Sequence, residues 1–472
     1  MRKTKIICTI GPATSSMEML TSLAAAGMNI ARLNMSHGDH DFHISVIRRI
    51  QTLNKTLKHP IAVLVDTQGP EIRTGDRPYD LNLKTGDVVS VVARGSVDVE
   101  ASSIQVNYAD LINDVEIGGK ITVDNGLINL EVLEKADPII KCRVIDGGVL
   151  KSKKHVNLPG IRVNLPAITE KDKNDIAMAI DHEVDFIALS FVRNASDIEA
   201  FRRLIPENRR KIKTIAKIED QEGLTNLESI IAAVDGIMVA RGDLGVEIPI
   251  EVLPRVQRRI VRQCAIHGKR VIVATHMLES MIENPLPTRA EVTDVANAVY
   301  EEADAIMLSA ETTIGKHPVR CVEMLDKIAR SIEKSRGLLF TDGLRLESDK
   351  QEICSAAVKL AESIGAKVII VPTKTGRMAD YVTNCHPQTP VICAFTFDEA
   401  TRRQLVLNRN VLSFAITYDS DPDKILVNAA TMLLARNEFS EDDKAVVISD
   451  TLSGPGIDAV QIRTLGQLRG LA

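Results

Sequence analysis

Eight short apolar runs that alternate with helical patterns occupy the first two thirds of the chain. Between them lie Ser/Thr-x-x-acid capping boxes, which mark the start of a helix. Eight strands that alternate with helices favour a (β/α)8 TIM barrel over a doubly wound sheet. The predicted strands are Lys5–Thr9, Met28–Asn34, Ile61–Asp66, Asp185–Phe191, Lys213–Glu219, Gly236–Arg241, Arg270–Thr275 and Asp304–Leu308. The predicted boxes are Thr169/Asp172, Ser196/Glu199, Thr225/Glu228 and Thr288/Glu291.

One interval, residues 71–166, breaks this alternation. Its short strands are separated by turn residues such as Gly118-Gly119 and Asp124-Asn125-Gly126. We expect a small inserted β-barrel after the third strand, at the mouth where the active sites of (β/α)8 barrels form. An insert at this position can close over a site as a lid.

A second α/β unit follows the polar, glycine-containing linker Arg336–Lys350. Its pattern predicts a C-terminal α/β domain with a mostly parallel sheet. The predicted strands are Lys367–Val371, Pro390–Ala394, Val411–Phe414, Lys444–Ile448 and Ala459–Arg463. The predicted domains are a barrel (1–70 and 167–344), a lid (71–166) and a C-terminal domain (345–472).

Composition narrows the possible functions. The formal net charge is -5, aromatic residues make up 3% and Trp is absent, so no nucleic-acid surface is expected. The 7 cysteines are scattered and never spaced as C-x-x-C, which is typical of reduced thiols in the cytoplasm. No apolar run approaches the roughly 18 residues of a membrane helix, and Ile6–Ile10 is too short for a signal peptide. We therefore expect a cytoplasmic protein without a membrane segment.

Reactive side chains cluster at the ends of the predicted strands. The carboxyl ends of barrel strands share one rim, so side chains from six strands should meet at one mouth. A single polar strand end is ordinary, but this many charged and polar groups favour a catalytic site. The rim residues are Arg32, Asn34, Asp66, Thr67, Lys217, Glu219, Asp243, Thr275 and Glu311.

Two carboxylates and a lysine indicate the chemistry of this rim. Glu219 and Asp243 end adjacent strands and provide the hard oxygen donors that Mg²⁺ prefers. Lys217 lies two residues before Glu219 and therefore faces the same side of the strand. With Arg32 nearby, this group could neutralise the charge of a transferring phosphoryl group. The alternative is a structural Lys217–Glu219 ion pair, which the presence of Asp243 makes the weaker interpretation.

Several longer stretches resemble the pyruvate kinase family and occur in the family's order. They are Thr4–Thr14, Ala31–Gly38, Asp66–Gly75, Val156–Gly160, Ile215–Leu224, Met238–Pro249, Ala274–Val299 and Ala305–Pro318. The resemblance continues more loosely through the C-terminal domain. It implies a glycolytic phosphotransferase that converts phosphoenolpyruvate and ADP to pyruvate and ATP through an enolate. It also implies a homotetramer.

The resemblance further implies roles for single residues. Lys217 would stabilise the transition state and the enolate, Glu219 and Asp243 would hold Mg²⁺ (or Mn²⁺), and Arg32 would contact the phosphoryl group. A K⁺ ion is implied at Asn34, Ser36, Asp66 and Thr67. The pyruvate carboxylate is implied at the backbone of Ala240, Arg241 and Gly242 and at the Thr275 hydroxyl. The nucleotide is implied at Asn34, His37, Arg73, Asp124 and Lys154. The final proton donor stays open among Thr275, Ser309 and Glu311.

Glu71 lies where the family carries either Glu or Lys in its DTxGPxIR motif. A Lys ammonium could replace the charge of K⁺, whereas Glu leaves that charge to be recruited, so Glu71 predicts K⁺ dependence. The alternative is an exposed lid-hinge carboxylate without a role. Other departures from the family pattern are Asp220, Asn125, His155 and His276. Both histidines could tune pH dependence, although a passive histidine with satisfied hydrogen bonds is the favoured interpretation of each.

The segment Thr373-Lys374-Thr375-Gly376-Arg377 follows a predicted strand and opens a predicted helix. Hydroxyls, backbone amides and an Arg at such a position can hold a phosphate. The segment resembles the family's effector-phosphate loop, with Met378 in place of a Thr, and predicts a sugar-phosphate activator. An ordinary strand–helix turn is the alternative. Ser453–Gly456 is a second, more divergent candidate.

Two other functions compete with phosphoryl transfer. A Mg²⁺-dependent 2-oxo acid aldolase or lyase would share the barrel, the carboxylate pair and enolate chemistry. It would not need a lid or the phosphate contacts of Arg32 and Arg73, because it has no phosphoryl group to shield from water. A non-catalytic metabolite sensor would use only the C-terminal loop and would not need Lys217, Glu219 and Asp243.

Overall fold

The computed structural model describes residues 1–95, 103–161, 163, 165–209, 211–449 and 459–471. Its first three strands are buried along nearly their whole length, as expected for parallel strands that are covered on both faces. The first two helices begin at Ser16 and Asp39, whose side chains each accept a backbone N–H. These elements are β1 (Lys5–Thr9), α1 (Met17–Ala26), β2 (Ile30–Asn34), α2 (His40–Asn54) and β3 (Ala62–Asp66).

A largely antiparallel β insert with an apolar core of its own follows β3. Its elements are β4 (Leu81–Leu83), β5 (Val88–Ala93), β6 (Ile104–Val106), α3 (Leu111–Asp114), β7 (Lys120–Val123), β8 (Ile128–Ala136), β9 (Ile139–Asp146), β10 (Gly148–Leu150) and β11 (Val156–Asn157). Six strands form a sheet in the order β11-β7-β8-β9-β5-β6, and β4 pairs with β10. Arg73 bridges to His155 and Thr74 to Val106, so one segment links the two edges of the sheet. The expected small barrel is this linked sheet.

Five further parallel strands complete a closed eight-stranded barrel in the order β1-β16-β15-β14-β13-β12-β3-β2. They are β12 (Phe186–Leu189), β13 (Lys213–Ile218), β14 (Gly236–Ala240), β15 (Arg270–Ala274) and β16 (Ala305–Leu308). Ile7, Ile30 and Leu64 belong to the apolar layer inside the barrel, while alternate strand residues pack against the helices. The predicted (β/α)8 barrel is confirmed, because each predicted strand matches an observed one.

Two of the four predicted capping boxes start a helix in the structure. The boxes predicted at Thr169/Asp172 and Thr288/Glu291 are confirmed. The other two are wrong, because Asn194 caps the helix predicted to start at Ser196, and Thr225 ends a helix instead of starting one. These helices are α4 (Glu170–Asp181), α5 (Ala195–Leu204), α6 (Gln221–Thr225), α7 (Leu227–Ala233), α8 (Arg241–Glu247), α9 (Leu253–Ile266), α10 (Arg289–Tyr300), α11 (Ala310–Thr313) and α12 (Pro318–Ile332).

The C-terminal α/β unit packs against the amino ends of the barrel strands, on the face opposite the mouth. Asn410 N donates to Lys3 O at 3.0 Å, and Arg403 Nε lies 2.8 Å from Asp185 Oδ1. The elements are α13 (Asp349–Ser363), β17 (Val368–Pro372), α14 (Arg377–Asn384), β18 (Val391–Thr396), α15 (Glu399–Gln404), β19 (Val411–Ala415), α16 (Pro422–Leu434), β20 (Lys444–Ser449), β21 (Ala459–Thr464) and α17 (Leu465–Arg469). The sheet order is β19-β18-β17-β20-β21, with only β21 antiparallel, which confirms the mostly parallel sheet.

Candidate active site

The ammonium group of Lys217 lies at the centre of the polar groups in the barrel mouth. Lys217 Nζ is 3.0 Å from Glu219 Oε1 and 3.2 Å from Asp66 Oδ1, and it donates to Ser190 Oγ at 2.7 Å. Burial by itself lowers the pKa of Lys217, but the charges of Asp66 and Glu219 outweigh it and raise that pKa. The lysine is therefore held as a cation at any physiological pH.

The two carboxylates expected to bind a metal ion have different protonation behaviour. Glu219 is 1% exposed and accepts a hydrogen bond from Phe191 N at 2.7 Å. Burial raises the pKa of Glu219 to about 7, against the lowering effect of the Lys217 charge. Asp243, in the first turn of α8, has a lowered pKa, because the hydrogen bond and charge of His155 outweigh burial. Near neutrality Asp243 is thus ionised while Glu219 is partly protonated.

These carboxylates fit a divalent cation that takes only part of its shell from protein. Across the described residues, no three His, Cys, Asp or Glu side chains come together as a metal cage. Mg²⁺ commonly binds through one or two carboxylates and keeps several waters or substrate oxygens. The pair Glu219 and Asp243 could supply such a donor set, and their role as metal ligands stays a prediction.

A buried ion pair connects the ends of β2 and β3. Arg32 Nε lies 2.6 Å from Asp66 Oδ2, and Arg32 Nη1 donates to Thr9 Oγ1 at 2.9 Å. Burial alone would raise the pKa of Asp66, but Lys217 and Arg32 lower it. Among the described residues, no hydrogen-bond partner engages Arg32 Nη2. The pair therefore fixes the guanidinium while leaving one of its nitrogens for an anion.

The start of α8 and the end of β15 form a small polar cradle. Gly242 N donates to Thr275 Oγ1 at 2.8 Å, and Thr275 has a φ of 66°, in the left-handed region that β-branched residues rarely adopt. The Arg241 side chain turns away, because its Nε donates to Ala274 O at 3.0 Å and its Nη1 lies 2.7 Å from Asp294 Oδ1. Only the backbone of Ala240 and Arg241 is left to face the mouth.

The four oxygen donors expected for a K⁺ ion come from neighbouring positions on the rim. Asn34 and Asp66 are register partners on β2 and β3, and Asn34 Oδ1 accepts from Ser36 N at 3.1 Å. Thr67 Oγ1 accepts from Ser190 N at 3.2 Å. Asp66 Oδ1 and Oδ2 are already engaged by Lys217 and Arg32. The donors are thus adjacent, with Asp66 shared between this set and the cations.

The residues expected to bind nucleotide are divided between the barrel and the insert. Asn34 and the exposed His37 lie on the barrel rim. Lys154 Nζ contacts Asp124 Oδ1 at 2.9 Å on the insert. Arg73 Nε lies 2.6 Å from Glu71 Oε2, so the Glu71 carboxylate is paired. No hydrogen bond or ion pair joins the insert members to Asn34 or His37 within the described residues.

Two residues matter more than the sequence indicated. Ser190 Oγ accepts a hydrogen bond from Lys217 Nζ, and the Ser190 hydroxyl donates to Thr67 O at 2.6 Å. The sequence indicated only that Ser190 lies near the end of a predicted strand. His155 Nδ1 lies 3.3 Å from Asp243 Oδ1, so this histidine has a partner in the mouth, as a satisfied histidine would. Burial lowers the pKa of His155, but Asp243 outweighs it and raises that pKa. The side chain of His276 is mostly exposed, as a passive histidine would be.

The candidates for the final proton donor differ in their hydrogen-bond partners. Glu311 is buried and accepts from Leu278 N at 3.0 Å and from Ser309 N at 2.7 Å. Both of its oxygens are thus committed to backbone amides. The Thr275 hydroxyl is engaged as well, since it donates to Ala274 O at 2.7 Å, and the final proton donor stays open among Thr275, Ser309 and Glu311.

The C-terminal loop expected to hold a phosphate lies beside a cavity. Thr373 Oγ1 accepts from Gly376 N at 3.0 Å, and Gly376 has a φ of 82°, immediately before α14. Thr375, Gly376 and Arg377 line a cavity of about 310 Å³ between the C-terminal unit and the amino ends of the barrel strands, together with Lys213 and Arg270. Ser453–Gly456 lies outside the described residues.

Among the described residues, no helix has the length and apolar character needed to cross a bilayer.

Residues 1–322 match the family model "Pyruvate kinase, barrel domain", and residues 351–462 match "Pyruvate kinase, alpha/beta domain".

Relatives extend this agreement to nearly the whole chain. Pyruvate kinase isozyme G of Nicotiana tabacum, described as chloroplastic, is 42% identical over 92% of this chain and 78% of its own length. Pyruvate kinase of Staphylococcus aureus (strain MRSA252) is 41% identical over 96% of this chain and 78% of its own. The crystal structure of a Cryptosporidium parvum pyruvate kinase matches with a TM-score of 0.92 at 35% identity, covering 98% of this chain and 96% of that one. Neither the lyase nor the sensor finds support in these matches.

The chain therefore belongs to the pyruvate kinase family, whose members depend on metal ions and convert phosphoenolpyruvate and ADP to pyruvate and ATP.

Proposed function

We propose that this pyruvate kinase transfers the phosphoryl group with Lys217, Arg32 and Thr275 as catalytic residues and Glu219 and Asp243 as the ligands of Mg²⁺ or Mn²⁺. The observation that carries the proposal is the position of Lys217 Nζ, 3.0 Å from Glu219 and 3.2 Å from Asp66. Bound Mg²⁺ supplies Lewis-acid stabilisation of developing oxygen charge. Preorganised cations in a water-poor site supply most of the stabilisation in phosphoryl transfer.

Lys217 and Arg32 neutralise the phosphoryl group from two sides. Asp66 orients both, since it contacts Arg32 Nε at 2.6 Å and Lys217 Nζ at 3.2 Å. Fixed in this way, the two cations need little reorganisation when the phosphorus moves from phosphoenolpyruvate to ADP. Lys217 then stabilises the enolate oxygen that remains.

The pyruvate carboxylate is bound by the cradle at the start of α8. Backbone N–H groups from Ala240 to Gly242 and the Thr275 hydroxyl provide the donors, and a glycine at 242 lets an anion approach the backbone closely. Gly242 N donates to Thr275 Oγ1 at 2.8 Å and the Thr275 hydroxyl donates to Ala274 O at 2.7 Å, so a bound carboxylate replaces both hydrogen bonds. A proton reaches the methylene carbon of the enolate through Thr275, Ser309 or Glu311, by way of water.

The nucleotide binds between Asn34 and His37 on the barrel and Arg73, Asp124 and Lys154 on the insert. Closure of residues 71–166 over the barrel (1–70 and 167–344) brings these two groups together and excludes water from the transfer. His155 supports this assignment, because its contact with Asp243 already links the insert to the metal ligands.

A K⁺ ion is held by Asn34, Ser36, Asp66 and Thr67. The need for a recruited cation follows from Glu71, whose carboxylate is occupied by Arg73 at 2.6 Å and brings no positive charge to the mouth. Potassium then supplies the charge that a lysine at this position would provide.

A sugar phosphate binds the loop Thr373, Lys374, Thr375, Gly376 and Arg377 in a regulatory domain at 345–472. Arg377 and the loop hydroxyls and amides suit a phosphate, whereas Lys213 and Arg270 in the adjoining cavity are already paired with Asp235, Asp380 and Asp304. The protein is further proposed to be cytoplasmic and to be a homotetramer. Light scattering on the purified enzyme tests the oligomeric state.

The experiment is pyruvate formation from phosphoenolpyruvate and ADP with Mg²⁺, in K⁺ or in tetramethylammonium at equal ionic strength. Strong activity only in K⁺ supports the metal and potassium assignments together. Equal activity in both salts would keep the reaction but reject the potassium site. Equal activity after exhaustive chelation of divalent ions would reject the roles of Glu219 and Asp243.

A further inference from the structure

A second cavity of about 320 Å³ lies between the returning segment of the insert and the barrel loops after β12 and β13. Its insert wall includes Asn157 and Ile161, and its barrel wall includes Phe191, Asp220 and Glu247. Every occupant of this space would contact both the lid and the barrel. None of the proposed substrate, nucleotide or potassium residues lines it.

Most of the lining is apolar, but its polar groups are mainly acceptors. Glu247, on the last turn of α8, and Asp220, the N-cap of α6, contribute carboxylates. The guanidinium of Arg193 is turned to backbone, since Nη1 and Nη2 each donate at 2.8 Å to the carbonyls of Val163 and Leu165. Glu222 adds a third carboxylate, so the carboxylates outnumber the two cationic lining residues, Arg193 and His155, and a cation is favoured over an anion.

One acceptor in this wall has no partner. Asn157 is 5% exposed, and its Oδ1 is buried without a hydrogen bond in the described structure, while its Nδ2 donates to Glu247 Oε1 at 3.2 Å. A buried carbonyl without a hydrogen bond is unfavourable, so a ligand that donates a hydrogen bond to Asn157 Oδ1 gains affinity. Burial, together with the nearby charge of Asp220, raises the pKa of Glu247 to about 7, although Asn157 and the charge of His155 act to lower it.

We propose that this cavity binds a small organic cation, with a primary ammonium between Asn157 Oδ1 and Glu247 and an apolar body against Ile161 and Phe191. The Asn157–Glu247 hydrogen bond places the two acceptors within reach of one ammonium group. A bare metal ion fits less well, because the lining is largely apolar and the described residues provide no cage of three ligating side chains.

Occupancy has a consequence for the lid. The ligand binds residues on both sides of the hinge, so it is bound only while the insert keeps its present position over the barrel. By linkage it shifts the lid population toward that position and changes turnover without competing with substrate.

The test uses 2-phenylethylamine as probe and 2-phenylethanol as its neutral isostere, with binding measured by calorimetry on the full-length enzyme at constant ionic strength. The amine is expected to bind with a Kd of about 1 mM and the alcohol about tenfold more weakly. Glu247→Gln should weaken the amine about tenfold, while Glu251→Gln, an exposed carboxylate nearby on the chain, should leave it unchanged.

A second variant separates loss of the site from loss of the fold. Ile161→Trp fills the cavity without changing charge and should abolish amine binding, while the melting temperature stays within the range of the parent. Equal affinity for amine and alcohol, equal loss in Glu247→Gln and Glu251→Gln, or competition with phosphoenolpyruvate or ADP would each overturn the proposal. An undetectable interaction up to about twenty times the expected Kd would do so too.

Discussion

Lys217 Nζ lies 3.0 Å from Glu219 Oε1 at the carboxyl end of β13, and both side chains are almost fully buried. The two residues are alternate positions of one strand and face the same side, so the strand itself sets their separation. Removing one partner of such a pair leaves an uncompensated charge. Replacing either residue is therefore expected to affect both catalysis and the stability of the fold.

Lys217→Met should lower kcat by about 10³-fold or more, because it removes a cation that stabilises the transition state. The KM for phosphoenolpyruvate and the affinity for Mn²⁺ should change much less, since Glu219 and Asp243 are kept. Steady-state kinetics and electron paramagnetic resonance of Mn²⁺ give the two readouts. Lys217→Arg is the matched variant that keeps the charge, and near-normal turnover of Lys217→Met would reject the catalytic assignment.

Thr275→Val and Thr275→Ser form a second matched pair. The Val variant keeps the β-branched shape at a φ of 66° but loses the oxygen that accepts from Gly242 N at 2.8 Å. We expect its kcat/KM to fall about 10²-fold, as for other positioned polar groups, and that of Thr275→Ser to stay within a few-fold of the parent. Exchange of the pyruvate methyl hydrogens with solvent checks the proton relay separately. Equal activity of both variants would remove Thr275 from the mechanism.

Metal affinity should depend on pH through Glu219. Burial raises the pKa of Glu219 to about 7, and only the ionised carboxylate can ligate, so metal binding releases a proton below that pH. The affinity of the metal-free enzyme for Mn²⁺ should fall by about tenfold for each pH unit below 7 and level off above it. Asp243, with its lowered pKa, adds no proton in this window.

Calorimetry in two buffers with different heats of ionisation measures this proton release. Glu219→Gln serves as the control, because it cannot release the proton. A Mn²⁺ affinity that stays constant between pH 5.5 and pH 7 would contradict the assigned role of Glu219.

The barrel was predictable because its strands are covered on both faces and therefore appear as continuous apolar runs, such as Ile6–Cys8 within β1. Contacts between segments that are distant in the sequence were harder to predict. Ser190 looked like part of a strand, and only the fold shows that it receives Lys217 Nζ. The contact of His155 with Asp243 depends on how the insert returns to the barrel, which no local pattern specifies.

Helix starts show the same limit on a smaller scale. Ser196 and Glu199 have the spacing of a capping box, yet Asn194 accepts from the amides of Ser196 and Asp197 and begins the helix earlier. Two start patterns overlap there, and the structure forms the earlier one, a capping box of Asn194 and Asp197. The sheet of the insert was likewise predictable as strands but not as a sheet whose edges are linked through Arg73 and Thr74.

Glu71→Lys should make the enzyme independent of K⁺. The parent carboxylate contacts Arg73 Nε at 2.6 Å and Gln68 Nε2 at 3.3 Å, so the substitution replaces a neutralised group with a cation at the entrance to the insert. Initial rates in K⁺ and in tetramethylammonium provide the measurement. Glu71→Gln removes the negative charge without adding a positive one and should remain K⁺-dependent. Continued K⁺ dependence of Glu71→Lys would leave Glu71 as a hinge residue.

Arg377→Ala should abolish activation by sugar phosphates and leave basal turnover unchanged. Arg377 is exposed at the start of α14 and borders the cavity that Lys213 and Arg270 line from the barrel side. Lys213 begins β13, which carries Lys217 and ends at Ile218 next to Glu219, so an anion bound in the cavity acts at the opposite end of a catalytic strand. Initial rates at subsaturating phosphoenolpyruvate, with a panel of hexose mono- and bisphosphates, measure the effect.

Lys424→Ala is the control, because it removes an exposed charge from α16 of the same unit and should keep full activation. Since both variants lose one positive charge, activation lost in both would indicate a general electrostatic effect, and activation kept in both would leave Thr373–Arg377 as an ordinary strand–helix turn.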